Sequence, residues 1–376
     1  MTSLLNQLPQ YWLDGATRYL EGLRRGLAEP FPRSEDPPAV TPYNVVYEGD
    51  KMRLRHYRAE GIPQSSPLLI VYPLIKRPYI LDLLPGKSVV QSLVSQGIDV
   101  YLTDWIPPTR ADSWRGFDAY VNGDVADAVR AVQIHTGKEQ VSLLGYCFGG
   151  LLATIYTALH PAAVRNLITL TLPLDMSERE IPVFAAMGRM SPQTLDLITA
   201  TYGNCPAWFV KAGFNAMSPV HHMVDKYIGL YRNQDREGYA DMFELFERWM
   251  NSDVPLAGQI FREVTQDIFQ KNLLAQNHLQ VGTQIVDLKQ ITCPVLNVVG
   301  EHDDVVHPRS SLPFPTLVAS EDAENLVFPT GHIGVVVSAG AQKKMWPQIG
   351  QWLSDRSGWE SSGQPYAAFE RDSPMH

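Results

Sequence analysis

The chain has 376 residues, 45% of them hydrophobic, enough to bury one large core or two moderate ones, so a globular enzyme-sized protein is expected and disorder is not. Its net charge of −9 is modest and spread along the sequence, which argues against nucleic acid or a polybasic membrane patch and points to a small-molecule substrate. Cys147, Cys205 and Cys293 form no C-x-x-C pair, so neither a disulfide framework nor a metal site is signalled, and a reduced cytoplasmic protein fits. Met1 to Leu27 lacks the layout of a signal peptide, and no apolar run reaches the roughly 18 residues of a membrane span.

Residues 1–40 read as an N-terminal amphipathic helix, with Leu5, Leu8, Tyr11, Trp12, Tyr19, Leu20 and Leu23 at helical intervals, followed by a Pro-rich linker. Such a helix docks either on its own domain or on a partner. Asn44 to Glu48 and Met52 to Arg58 flank Gly49-Asp50 and alternate apolar with polar side chains, as in a β-hairpin.

Short continuous apolar runs follow at Leu68–Tyr72, Ile98–Thr103, Val141–Leu144, Leu167–Leu172, Val295–Val299 and Leu326–Phe328. Continuity rather than alternation is the mark of strands covered on both faces of a parallel sheet. Val125, Ala128, Val129 and Val132 supply a helical stripe between the second and third runs. The sequence therefore predicts an α/β protein with a mostly parallel, doubly wound sheet. The core comprises residues 41–176 and 288–354, and residues 177–287, without strand-like runs, form an inserted helical cap. A closing helix carries Trp346, Ile349, Trp352 and Leu353, and 355–376 form a flexible tail.

The strongest local signal is Gly145-Tyr146-Cys147-Phe148-Gly149-Gly150, set between the strand Val141–Leu144 and the apolar helical stretch Leu151–Leu159. This is a nucleophile elbow of the α/β-hydrolase kind with Cys in place of Ser. A turn that tight leaves no room for Cβ atoms beside the nucleophile, hence the glycines. The sulfur then stands at a helix N-terminus, where amides and dipole favour a thiolate. An elbow also calls for an acid and then a histidine beyond later strands. Gly300-Glu301-His302-Asp303-Asp304 and Gly331-His332-Ile333-Gly334 stand in those places. His332 is the expected general base, and Asp303 the residue that orients it. Backbone N–H groups of Phe148 and of Leu74, with Ile75 close behind, are the expected oxyanion donors.

Why cysteine? Attack of a thiolate on an acyl thioester gives another thioester of similar energy, so the acyl group stays activated, and its passage to a hydroxyl is downhill. This suggests acyl transfer to an alcohol, provided that water is kept out, a task suited to the cap.

These motifs resemble those of polyhydroxyalkanoate synthases. The likeness lies in Leu143-Leu144-Gly145-Tyr146-Cys147-Phe148-Gly149-Gly150, Arg77-Pro78-Tyr79-Ile80-Leu81-Asp82-Leu83, Val100-Tyr101-Leu102-Thr103-Asp104-Trp105, Ile291-Thr292-Cys293-Pro294-Val295-Leu296-Asn297 and Thr330-Gly331-His332-Ile333-Gly334, and runs from about Thr41 to Ser354. The short N-terminal extension and the Gly331–Ser338 stretch look like the class III branch. The resemblance implies polymerisation of short-chain (R)-3-hydroxyacyl-CoA with release of CoA, through a Cys-bound acyl thioester. It also implies a separate E subunit as partner, dimerisation, and work at the surface of a cytoplasmic polyester granule. No cofactor is expected beyond the coenzyme A that the substrate carries, and no Gly-rich phosphate loop marks where that coenzyme sits.

Three residues depart from the family pattern: Asp304 and His307 stand where His and Pro are usual, and Lys76 replaces a usual Asn. The doubled acid leaves open whether Asp304 shares the role of Asp303. Two other readings compete. One is a Cys-dependent hydrolase or thioesterase on the same fold; the other is a non-catalytic granule-associated subunit. Cys205, Cys293, His302, His307 and Trp249 are read as structural or solvent-facing.

Overall fold

The computed structural model describes residues 37, 39–58, 67–177, 188–217 and 239–356. The N-terminal amphipathic helix, most of the Pro-rich linker and the chain beyond residue 356 lie outside the described residues.

Twelve strands are present among the described residues: β1 (Asn44–Glu48), β2 (Met52–Tyr57), β3 (Pro67–Val71), β4 (Asp82–Leu84), β5 (Lys87–Ser88), β6 (Asp99–Trp105), β7 (Val141–Tyr146), β8 (Val164–Leu170), β9 (Gln280–Val281), β10 (Gln284–Ile285), β11 (Val295–Gly300) and β12 (Ala323–Phe328). Eight of them form one sheet in the order β1-β2-β6-β3-β7-β8-β11-β12. β2 pairs antiparallel with both β1 and β6, and the remaining pairs are parallel. From β3 the chain crosses to β6 on one side and then to β7 on the other. The C-terminal ends of β3 and β7 thus border a switch point, where adjacent loops diverge and leave a crevice.

The apolar runs become strands because only a fully paired backbone can be buried so deeply. Every residue of β3, β6, β7 and β11 is buried. Helices cover them. Among them α1 (Ala126–Thr136) buries Ala128, Val129 and Val132, and ends at Gly137 in the left-handed conformation. Helix α2 (Phe148–Leu159) is buried along all but its last residue, so it is core on every side rather than amphipathic. The closing helix, α7 (Trp346–Arg356), buries Trp346, Ile349, Trp352 and Leu353.

Between β8 and β11 the described chain is mostly helical, with α3 (Pro192–Tyr202), α4 (Ala207–Met217), α5 (Tyr239–Met250) and α6 (Gly258–Glu263). Cys205 pairs with Leu256 across this layer in an isolated antiparallel bridge.

The structure corrects three local expectations. β12 is not covered on both faces: as the last strand of the sheet it leaves Glu324, Asn325 and Val327 exposed. The expected cap segment contains strand pairing after all, in the short β9–β10 ribbon, too brief to leave an apolar run. Asp355 and Arg356 belong to α7 rather than to a tail, because Arg356 is tied to Asp322 at 2.7 Å.

Candidate active site

Cys147 occupies the turn between β7 and α2 with φ 50° and ψ −116°, a conformation that costs a non-glycine residue about 1–3 kcal/mol. The surroundings hold it there. Its N–H donates to the Leu170 carbonyl at 2.8 Å, and its carbonyl accepts from Gly150 N–H at 2.8 Å. The two glycines of the elbow are required by close approach. A Cβ on Gly145 would lie 2.5 Å from the Gly150 Cα, and one on Gly149 would overlap the Val71 carbonyl. The start of α2 is thereby seated directly on the end of β3.

The other two candidates arrive from neighbouring strand ends. Asp303 follows β11 and His332 follows β12, strands paired in register through Gly300 and Phe328. Asp303 Oδ2 lies 2.7 Å from His332 Nδ1. The remaining oxygen of Asp303 accepts from the N–H groups of Val305 at 2.9 Å and Val306 at 2.7 Å, so the carboxylate is locked by its own turn. With Nδ1 engaged, Nε2 is the ring nitrogen left to face the sulfur. Burial disfavours the charged imidazole, but Asp303 and the hydrogen-bonded Cys147 sulfur outweigh it, and the His332 pKa stands well above its ordinary value. Cys147, Asp303 and His332 are 9%, 4% and 8% exposed. The site is shielded from bulk water.

Asp304 and His302 are exposed, whereas Asp303 is buried, which separates the doubled acids. His307 caps the short helix Pro308–Ser311, its Nδ1 accepting from Arg309 N–H at 3.2 Å. Cys205 is buried and its thiol is pushed up to about 12, as is that of the partly buried Cys293.

Phe148 is the first residue of α2, and Leu74 lies in the loop after β3. As the first residue of its helix, Phe148 has an N–H without an intrahelical acceptor. Among the described residues no backbone carbonyl takes the Leu74 N–H either.

Three aromatic residues of the site were not singled out as functional by their sequence pattern. Tyr146 stacks on the His332 ring, with centroids 5.4 Å apart, and its hydroxyl donates to the His332 carbonyl at 3.2 Å. Tyr72, fully buried, accepts from Trp249 Nε1 at 3.2 Å. Burial first, with the Cys147 sulfur among the lesser causes, raises the pKa of both tyrosines, so their hydroxyls stay protonated. Position offers the only sequence signal. Tyr146 immediately precedes the nucleophile, and Tyr72 immediately follows β3.

A cysteine at a strand-to-helix elbow, with base and acid candidates beyond later strands of a mostly parallel sheet, defines an α/β-hydrolase fold. Comparison with known proteins agrees: residues 81–339 match the family model for the alpha/beta hydrolase fold, and residues 37–93 match that for the poly-beta-hydroxybutyrate polymerase (PhaC) N-terminus. The chain belongs to the poly(3-hydroxyalkanoate) polymerase PhaC family. It is 38% identical over 320 residues to the poly(3-hydroxyalkanoate) polymerase subunit PhaC of Allochromatium vinosum, covering 84% of this chain and 89% of the relative. The subunit of the same name from Thiocystis violacea is 34% identical, with 94% and 98% covered. Among solved structures, a putative lipase from Sulfolobus solfataricus shares the fold at a TM-score of 0.55 and 15% identity, over 84% of this chain and 99% of that one.

Among the described residues no helix is long and apolar enough to cross a membrane, and no cluster of three His, Cys, Asp or Glu side chains is suited to a metal ion.

Proposed function

We propose that this protein polymerises short-chain (R)-3-hydroxyacyl-CoA into polyester and releases coenzyme A, with Cys147 as the acyl carrier. The observation that carries the chemistry is the buried line Asp303, His332, Cys147 at a water-poor strand edge, in a chain of the polymerase family.

His332 takes the proton of the Cys147 thiol. The thiolate attacks the carbonyl carbon of the acyl-CoA thioester, and the oxygen, now negative, is met by the N–H groups of Phe148 and Leu74. The carbon–sulfur bond to coenzyme A breaks, and the departing thiolate collects the proton from His332. The acyl group now sits on Cys147 as a thioester of about the same energy as the one consumed. His332 next accepts the proton of a 3-hydroxyl, the alkoxide attacks the Cys147 thioester, and an ester bond forms as the sulfur leaves and is reprotonated. Asp303 holds the imidazole and balances its charge throughout.

Departure from the family pattern at Asp304 and His307 does not favour an inert scaffold. Asp303 still orients His332, and His307 is occupied as a helix cap. The reading extends to a class III arrangement, with a partner E subunit, self-association and work at a cytoplasmic granule surface. The substrate brings its own coenzyme A, and no step requires a further cofactor.

Incubation with 3-hydroxybutyryl-CoA, with and without a co-expressed E subunit, tests this. Free coenzyme A with insoluble polyester is the expected result. Soluble 3-hydroxybutyrate as the sole product would replace polymerase by a Cys-dependent hydrolase.

A further inference from the structure

The loop from Tyr72 to Arg77, which carries Leu74, is gripped by the end of α5 and the segment that follows it. Trp249 Nε1 donates to the Arg77 carbonyl at 2.9 Å and to the Tyr72 hydroxyl at 3.2 Å. Val254 N–H donates to the Ile75 carbonyl at 3.3 Å. Lys76 completes the grip. Its ammonium donates to the Met250 carbonyl at 2.8 Å and to Asp253 Oδ1 at 2.7 Å, and stands 5.4 Å from the centre of the Trp249 ring.

The side chains of Lys76 and Asp253 are only 9% and 4% exposed. Burial lowers the pKa of the one and raises that of the other, and each opposes the change in its partner. A buried pair of this kind is a poor source of stability, since well-packed apolar residues serve as well. Its hydrogen bonds, however, fix one geometry. They make the position of the helical layer and that of the Leu74 loop a single variable.

We propose that Lys76 is a positioning residue for acylation: through Met250 and Asp253 it fastens the Leu74 loop to the end of α5, so that both oxyanion donors flank Cys147 only while that layer is seated. The inference rests on the polymerase reading above. Cys147 is 9% exposed, and on this proposal substrate entry displaces the part of the layer that holds the loop. Displacement loosens the loop and withdraws one donor. The Cys147 thioester is then least electrophilic when water has access, and most electrophilic after closure over the next 3-hydroxyl. Lys76 touches no reacting atom and acts through Leu74.

The test compares Lys76→Met, Asp253→Leu and the double variant with the wild type. Two rates are read: coenzyme A released in the first turnover with 3-hydroxybutyryl-CoA, and alkylation of Cys147 by iodoacetamide, which develops no oxyanion. In Lys76→Met the first-turnover rate should fall about ten- to a hundredfold, while KM and alkylation stay within about threefold. The double variant, which removes both members of the pair, should be as slow as the single one. Recovery of acylation in the double variant would show that the pair only balances charge, and would overturn the inference. Equal loss of acylation and alkylation would overturn it too, since the whole site would then be disturbed. A wild type that alkylates normally but releases no coenzyme A would instead overturn the proposed function, and this inference with it.

Discussion

Asp303 meets His332 at 2.7 Å with one oxygen while its other oxygen is held by two N–H groups of its own turn, and the neighbouring Asp304 is exposed. Adjacent acids are thus given different tasks by a change of direction of one residue. Asp303→Asn should lower kcat roughly a hundred- to ten-thousand-fold, because the imidazole loses both its orientation and the charge beside it. Asp304→Asn should remain within about threefold of the wild type. Turnover of both variants by coenzyme A release checks this, and the reverse ranking would assign the acid to Asp304.

The same carboxylate sets a dependence on pH. Although burial opposes its charge, His332 retains its proton more firmly in the folded chain than in the unfolded one, through Asp303 and Cys147. A group raised on folding stabilises fully below its unfolded pKa, about 6.5 for imidazole, and that contribution fades as pH rises through the folded value. Cys147→Ala removes one of the raising partners, so the fading should begin at lower pH. Urea midpoints of the two proteins from about pH 6 to 10 would show it, the difference reporting the sulfur and imidazole as a pair. Superimposable profiles would count against the coupling.

Gly149 offers a test of the elbow itself. A Cβ there would overlap the Val71 carbonyl, which is backbone of a buried strand and cannot turn aside as a flexible side chain could. Gly149→Ala should destabilise the protein by at least about 3 kcal/mol in urea denaturation. Gly123, where a Cβ would meet nothing within 4 Å, is the control. Gly123→Ala should hold stability or raise it by up to about 1 kcal/mol.

The three thiols should separate by reactivity. Cys205 and Cys293 are both pushed up to about 12, the first by burial alone and the second chiefly by it, which leaves almost no thiolate near neutrality. Brief iodoacetamide treatment followed by peptide mass analysis should find the label on Cys147 alone. In His332→Ala that labelling should slow by about tenfold or more. Labelling spread evenly over the three cysteines would argue that no base serves Cys147.

Much of the fold was legible because burial on both faces demands continuous apolar runs, and five such runs lie in β3, β6, β7, β8 and β11 of the main sheet. β12 misled the reading at its edges. An outermost strand keeps polar residues such as Glu324 and Asn325, so only its apolar end, Leu326–Phe328, stood out. The elbow was legible because steric necessity dictates its glycines. Counting from Gly300 pointed to Asp303, but whether Asp304 shares its role was not legible, since the direction of a side chain at a turn depends on the N–H groups of Val305 and Val306. Nor were Tyr72, Tyr146 and Trp249. An aromatic residue amid apolar neighbours reads as core, and the bond from Trp249 to Tyr72 spans 177 positions, a separation that no local pattern encodes.

Since β11 and β12 come late in the sequence, the ribosome delivers the sulfur long before its base. Until those last two strands add to the sheet edge, Cys147 lacks both the imidazole that bonds its sulfur and the carboxylate behind that imidazole. On the proposed mechanism, chemical competence and completion of the sheet are therefore one event.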